Sequence, residues 1–351
     1  MQVIILSDGI RGHFHQSLGV GKWLERLLNN AEIKKIKIIE VPKFRGIKKI
    51  ILFKILARRL KTHNENFSRK WLDMAGFKIP DYINLNSRDY IFISAGSSAA
   101  PFNLALANIT GCKSVVIMNP SILGVKPFNF AIVPEHDKIN YENAINTLGA
   151  PNHIYIPDLK EAAEKFKNVT RKKIIAVLIG GNDANYKITP EWAEKVLTPL
   201  KEIDAGILIT TSRRTGKDVD DEIYKIFKDR AEFILLASRD PDQNPVPAML
   251  GKASHVLVTE DSVSMVSESV TAGFKAGLLR VERTTGFFKN LFGFGAKRFD
   301  ELFNRFIEKN LIIDLGKNIN DIKKFVETDS QLHNQNFNEA KRCAEYIIKS
   351  L

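Results

Sequence analysis

The chain has 351 residues, 44% hydrophobic and 26% charged, with a formal net charge of +12. At roughly 150 residues per domain this is enough for two ordinary globular domains. Its two cysteines, Cys112 and Cys343, exclude a disulfide framework or a cysteine-based zinc site and suit a reducing compartment.

The charge is uneven. The first 160 residues hold 22 lysines and arginines against 12 acids, and ten of those cations fall within 43–70 beside a single acid, Glu65. So local an excess implies an anionic surface as partner. The opening run, Met1 to Leu6, reads as a strand with no basic leader. Apolar runs elsewhere fall far short of the ~20 residues a membrane-spanning helix needs. A cytoplasmic protein is expected.

The first strand ends in Ser7-Asp8-Gly9, and a helix is expected from about Gln16. The turn between carries His13 and His15, and histidine suits proton transfer near neutral pH; either ring also fits simple capping or packing. Residues 43–70 follow a strand at 35–41. On a helix, Ile47, Ile51, Ile55 and the neighbouring Leu56 share one face by i, i+4 spacing, with Lys48, Lys49, Arg58 and Arg59 beside it. This fits an anionic membrane surface, or a core-packed helix with a solvated basic face. Further strands are expected at 90–94, 114–118 and 130–133. The first of these ends in Ala95-Gly96-Ser97-Ser98, a loop suited to an acceptor or a phosphate. The last ends in Pro134-Glu135-His136-Asp137, which makes Glu135 a substitute base.

The domain linker is expected near 151–161, giving an N-terminal domain over 1–155 and a C-terminal domain over 156–351, which the resemblance described below would make the acceptor side and the nucleotide-sugar side. A closing helix, 336–351, follows the second sheet. This half also opens on an apolar strand, about 175 residues after the first, and it ends in Gly180-Gly181-Asn182-Asp183. Glycines there allow a ligand close to the backbone. Strands follow at 206–210, 232–236, 255–258 and 275–279. Strands alternating with helices favour right-handed parallel units. The expected fold class is therefore α/β, two Rossmann-like doubly wound domains facing a cleft.

In this half the strand at 206–210 opens into Thr211-Ser212-Arg213-Arg214-Thr215, and arginine suits bidentate phosphate binding. The strand at 255–258 leads to Thr259-Glu260-Asp261-Ser262, which caps a helix running to about Gly273. A helix N-terminus suits a phosphate. Ser262 and Ser264 add hydroxyls, and Glu268 lies about two turns on, within reach of a ribose diol. Taken singly, each loop also fits an ordinary turn or cap. Together they belong on the carboxyl edge of one sheet, where open α/β sheets bind ligands. The segment 286–298, with four phenylalanines and three cations between glycines, is a second membrane candidate or a lid. No metal-ligand spacing and no nucleic-acid module is recognisable, so neither metal, cofactor nor nucleic acid is expected.

Seven motifs carry a resemblance. They are Ser-Asp-Gly-x-x-Gly-His-x-x-Gln-Ser-Leu-Gly (7–19), Ala-Gly-Ser (95–97), Pro-Glu-His-Asp (134–137), Thr-Leu-Gly-Ala (147–150), Thr-Thr-Ser-Arg-Arg-Thr (210–215), Asn-Pro (244–245) and Val-Thr-Glu-Asp-Ser-Val-Ser-Met-Val-Ser-Glu (258–268). In this order they resemble the family named after a plant mitochondrial-fission factor, whose bacterial members are described as glycosyltransferases of GT-B architecture. The resemblance implies a nucleotide-sugar donor and adds Asn244 to the substrate-binding residues. Gly9-x-x-Gly12-His13 is also similar to the acceptor-side loop of the peptidoglycan N-acetylglucosaminyltransferase that makes lipid II. Gly180-Gly181 and 262–268 are similar to its donor-side elements. That likeness implies Gly12 in the acceptor loop and His13 as acceptor-side base. It places Glu268 on the ribose, and Ser262, Ser264 and Arg213 or Arg214 on the diphosphate. The acceptor would then be lipid-linked, at the inner face of the cytoplasmic membrane. Here Ile10-Arg11 stands where that enzyme has more glycine. An epimerase or hydrolase of the same fold, using Glu135 and Asp137, and a scaffold that recruits another protein to a membrane are the alternatives.

Overall fold

Runs of apolar residues flanked by helices become strands covered on both faces, and the computed structural model forms two such sheets. It describes residues 1–28, 34–284, 294–328 and 336–351. The chain divides into two units, Met1–His153 with Asn338–Leu351, and Ile154–Phe337.

In the first unit the elements run β1 Gln2–Ser7, α1 Arg11–Leu27, β2 Lys34–Glu40, α2 Ile47–Ala57, α3 Glu65–Met74, β3 Tyr90–Ala95, α4 Gly96–Thr110, β4 Lys113–Ile117, β5 Phe130–Pro134 and β6 Ala144–Thr147. The sheet order is β2-β1-β3-β4-β5-β6, with every neighbour parallel. Side chains alternate between its faces. Ile4, Leu6 and Phe92 pack with α2, α3 and α4; Val3, Ile5, Ile91 and Ile93 pack on the opposite face, against Val20 and Leu24 of α1. Because β2 and β3 lie on opposite sides of β1, the order reverses between β1 and β3.

The second unit runs α5 Ile156–Ala163, β7 Ile174–Ile179, β8 Tyr186–Lys187, α6 Pro190–Leu197, β9 Gly206–Thr211, α7 Lys217–Phe227, β10 Phe233–Leu235, α8 Val246–Lys252, β11 His255–Thr259, α9 Val263–Thr271, β12 Ala276–Leu279, β13 Glu282–Arg283, α10 Phe294–Glu308, β14 Ile312–Gly316 and α11 Ile319–Glu327. Its parallel sheet has the order β10-β9-β7-β11-β12-β14, and β8 pairs with β13 in a small antiparallel ribbon. Here the order reverses between β7 and β11. The fold class is as expected, GT-B-like in carrying two successive Rossmann-like units.

The structure corrects the sequence reading in three places. The closing helix, α12 Glu339–Lys349, was expected with the second half and belongs to the first unit. Its buried stripe, Ala340, Cys343, Ala344 and Ile347, completes the layer beside α1. Glu339 accepts the Leu148 N–H at 3.0 Å, and burying a residue such as Ile347 is worth roughly 1.5–3 kcal/mol. Helix α1 starts at Arg11 rather than near Gln16. Gly9, at φ +77°, turns the chain, and extended Ile10 is the N-cap. Gly12, His13 and His15 therefore sit on the first turns of a helix. Finally, β6 and β14 were not anticipated, being short strands at sheet edges. Of the phenylalanine-rich candidate at 286–298, residues 286–293 lie outside the described residues. No helix among the described residues is long and apolar enough to cross a membrane.

Candidate active site

Open parallel sheets leave a crevice at the carboxyl ends of the strands where their order reverses. Both units place chemically distinctive residues there.

In the first unit the crevice lies between the ends of β1 and β3. Asp8 is buried. Its Oδ1 accepts the Ile10 N–H at 3.1 Å, and its Oδ2 lies 2.8 Å from His13 Nδ1. Burial alone would raise the Asp8 carboxyl, but the hydrogen bonds from His13 and Ile10 outweigh it and hold the group below the usual carboxylate range. An ionised Asp8 makes His13 Nδ1 the donor, and in the neutral ring Nε2 then carries the lone pair. Nε2 carries no hydrogen bond among the described residues. The ring rests on Gly96, where a Cβ would come within 2.5 Å of His13 Cε1, and the φ of +77° there favours glycine as well. The arrangement is a positioned imidazole with its outer nitrogen free, suited to taking a proton.

The other N-terminal candidates are dispersed. His15 packs its ring 4.5 Å from that of His153. Glu135 starts a short turn after β5, two strands beyond β3. Ser97 Oγ accepts the Ser121 N–H at 3.0 Å, and Gly12 has open space where a Cβ would be.

In the second unit three loops meet between β7, β9 and β11. Gly180 N–H donates to Thr259 Oγ1 at 2.8 Å, and Gly181 N–H donates to Asp261 Oδ2 at 2.6 Å. Arg214 donates to the same Asp261 oxygen at 3.1 Å and to the Gly181 carbonyl at 3.3 Å. Asn182 N–H donates to the Arg214 carbonyl at 2.9 Å, and Thr215 donates to the Gly180 carbonyl. The glycines are sterically required. A Cβ on Gly180 would lie 2.0 Å from Asp261 Oδ2, and one on Gly181 would lie 2.2 Å from the Arg214 carbonyl carbon. The close approach expected of a ligand at these glycines is made instead by the protein's own loops.

Burial pushes the Asp261 carboxyl up to about 6, against hydrogen bonds from Thr259 and Gly181 and the Arg214 charge. Its Oδ1 is buried with no hydrogen-bond partner among the described residues. Ser262 caps α9, accepting the Met265 N–H at 3.4 Å. The first-turn N–H groups at Val263 and Ser264 have no intrahelical acceptor. Ser264 is half-buried, and Glu268 is buried on the same helix.

Two further expected site residues have partners on neighbouring loops. Arg213 donates to the Pro241 carbonyl at 3.0 Å and pairs with exposed Asp242. Asn244 Oδ1 accepts the Val246 N–H at 3.3 Å, at the start of α8. Sequence reasoning did not single out Asp8 or Thr259. For Asp8 the available signal was its five-residue spacing to His13 across a glycine turn.

Against known proteins, the chain is 28% identical over 220 residues to uncharacterized protein RP120 of Rickettsia prowazekii (strain Madrid E), covering 61% of this chain and 57% of the relative. It thus spans little more than half of that relative's length. Among solved structures it is similar to MurG of Acinetobacter baumannii, at 15% identity and a TM-score of 0.47, over 100% of this chain and 99% of that one. It is similar as well to the UDP-GlcNAc 2-epimerase of Neisseria meningitidis bound to UDP-GlcNAc, at 12% identity and a TM-score of 0.47, over 100% of this chain and 99% of that one. Residues 11–351 match the family described as mitochondrial fission ELM1, and the chain belongs to that family.

Proposed function

We propose that this chain transfers a sugar from a nucleoside-diphosphate donor, held by the second unit, to an acceptor hydroxyl held by the first. The observation that carries the reading is the Asp8–His13 pair with its free Nε2. A recruitment scaffold has no use for an imidazole so oriented, whereas an acceptor hydroxyl needs a base. On the donor side, the α9 N-terminus, Ser262, Ser264 and Arg214 suit a diphosphate, and Glu268 suits a ribose. The acceptor oxygen bonds to the anomeric carbon as its proton passes to His13 Nε2. The bond from that carbon to the diphosphate oxygen breaks, and its electron pair leaves with the diphosphate. The growing charge is met by the helix dipole and Arg214. The test is calorimetry with a panel of nucleoside diphosphates and their sugars. One of them should bind, and Glu268→Ala should weaken it by about 1–3 kcal/mol, as for a lost charge-assisted hydrogen bond. Unchanged affinity would remove Glu268 from the ribose.

In this reading the acceptor is lipid-linked and the enzyme works at an anionic membrane face. Helix α2 supports it. Phe53 and Ala57 face the core, while Ile47 (77% exposed), Ile51, Leu52 and Ile55 (each above 50%) face outward. A helix apolar on both faces calls for a covering on the outer one. Exposed Lys48, Lys49, Arg58 and Arg59 surround that face, which suits anionic headgroups. Co-sedimentation at low salt should show binding to phosphatidylglycerol vesicles over phosphatidylcholine ones, fading with salt and lost when these four cations become Gln. Equal binding to both vesicle types would sink the membrane reading.

A further inference from the structure

Under α2 lies a cavity of about 420 Å³, opening beside the carboxyl ends of β1 and β3. Its lining residues are of two chemical kinds. One is aromatic. Phe44 stacks on Phe53 with ring centroids 4.3 Å apart, and Trp71 meets Phe53 edge-on at 6.0 Å. The other is cationic and rich in donors. Lys43 and Lys54 line it, and neither forms an ion pair among the described residues. The Lys43 ammonium lies against Gly9, where a Cβ would be only 2.8 Å away. Ser97 and Ser98 belong to the first turn of α4, a 15-residue helix whose N-cap, Ala95, supplies no side-chain hydrogen bond. Its first N–H groups are therefore without a cap. The one carboxylate on the wall, Asp8, is already engaged by His13 and Ile10.

A further observation points to a ligand. Trp71 lines this cavity and is fully buried, yet its indole N–H has no hydrogen-bond partner among the described residues. Indole offers only a donor. A buried orphan donor is costly enough that native proteins seldom leave one. A ligand oxygen against the indole edge would satisfy it, and an anion beside the lysines would satisfy two unpaired ammoniums and an uncapped helix end.

We propose that this cavity holds the phosphate end of a lipid, with Lys43, Lys54 and the α4 N-terminus on the phosphate and the Phe44–Phe53 wall against the first hydrocarbon segment. Helix α2 connects the two environments. Ile50, Phe53 and Lys54 line the cavity, and on its other side Ile51, Leu52 and Ile55 are exposed, where a chain continues into a membrane. The proposal deepens the transferase reading by naming the acceptor's chemical class, and it rests on that reading only for the acceptor role, not for the binding itself.

The test is calorimetry of the full chain, without donor, using dioctanoyl phosphatidic acid below its micelle concentration. Inorganic phosphate and dioctanoylglycerol are the comparison probes. Dioctanoyl phosphatidic acid should bind, and both comparison probes should bind at least about tenfold more weakly, since each lacks one half of the recognition. Lys43→Gln with Lys54→Gln, both exposed positions, should cost about tenfold or more in affinity, as for two lost charge-assisted contacts. The Lys48, Lys49, Arg58 and Arg59 to Gln variant should keep its affinity for the monomeric probe. Inorganic phosphate binding as tightly as the lipid would show a free-anion site and overturn the lipid assignment. Dioctanoylglycerol binding equally well, or undiminished binding in the Lys43/Lys54 variant, would overturn the phosphate assignment. Equal losses in the two sets of variants would move the site to the surface and overturn the cavity. Lipid binding that passes these tests with no sugar transfer from any donor upholds the cavity and strikes the transferase reading alone.

Discussion

At the switch point of the first sheet Asp8 meets a histidine; at that of the second, Asp261 meets an arginine and a glycine amide. Both loops border the point where their sheet's strand order reverses, Asp8 after β1 and Asp261 after β11, and their carboxyls move in opposite directions. In both, burial acts to raise the pKa. Around Asp8 the hydrogen bonds from His13 and Ile10 prevail, and the group stays ionised. Around Asp261, which is more deeply enclosed, burial prevails over Thr259, Gly181 and Arg214. The topology supplies the place, and the partners a few residues away decide the chemistry. One carboxylate orients an imidazole; the other ties three loops together.

The largest test of that contrast is at the histidine. His13→Ala should lower turnover about 10²–10⁴-fold, the range for a lost general base, with nucleotide affinity unmoved. Asp8→Asn should lower it in the same direction and alter its pH profile, because the ring loses the acceptor that sets its tautomer. A variant with full activity and an unchanged profile would take Asp8 out of the mechanism.

Next come the glycines. Gly181→Ala should cost about 1–3 kcal/mol or more in urea melts, since its Cβ would meet backbone that cannot yield. Gly12→Ala meets open space inside a helix and should cost nothing, gaining up to ~1 kcal/mol from helix propensity. Equal losses at the two positions would show that the loop closure around Asp261 is not as tight as its geometry implies.

The smallest effect concerns pH. Asp261 holds its proton more tightly when folded, at about 6 against an ordinary 3.8. The stability linked to that proton is complete below about pH 4 and is lost as pH rises through 6. Asp261→Asn keeps an acceptor for Gly181 and removes the charge. Its stability should be flat between pH 4 and 7, and at pH 7 about 1–3 kcal/mol above that of the unsubstituted protein. Melts across this range that keep the same slope in the variant would assign the dependence to another group.

From the residues alone one could read the two apolar strand starts, the parallel α/β class, the glycine turn at 180–181 and the helix start at Ser262. All of these rest on periodicity, turn chemistry and capping, which act within a few residues of one another. The outward face of α2 was legible for the same reason, because i, i+4 spacing alone sets which residues share a face. It did not say whether the core or the solvent receives that face. Packing decided this by turning Phe53 and Ala57 inward and leaving Ile47, Ile51 and Ile55 exposed. Tertiary structure also sent α12 back to the first unit, 192 residues beyond Thr147, the last strand residue of that unit, where its stripe of Ala340, Cys343, Ala344 and Ile347 completes a layer. It separated Arg214 from its neighbour Arg213, and His13 from His15, because adjacent side chains of one type point to different partners once the loops around them close. Local sequence specifies elements and their faces; which faces meet depends on complementary surfaces far apart in the chain, and no local pattern records that pairing.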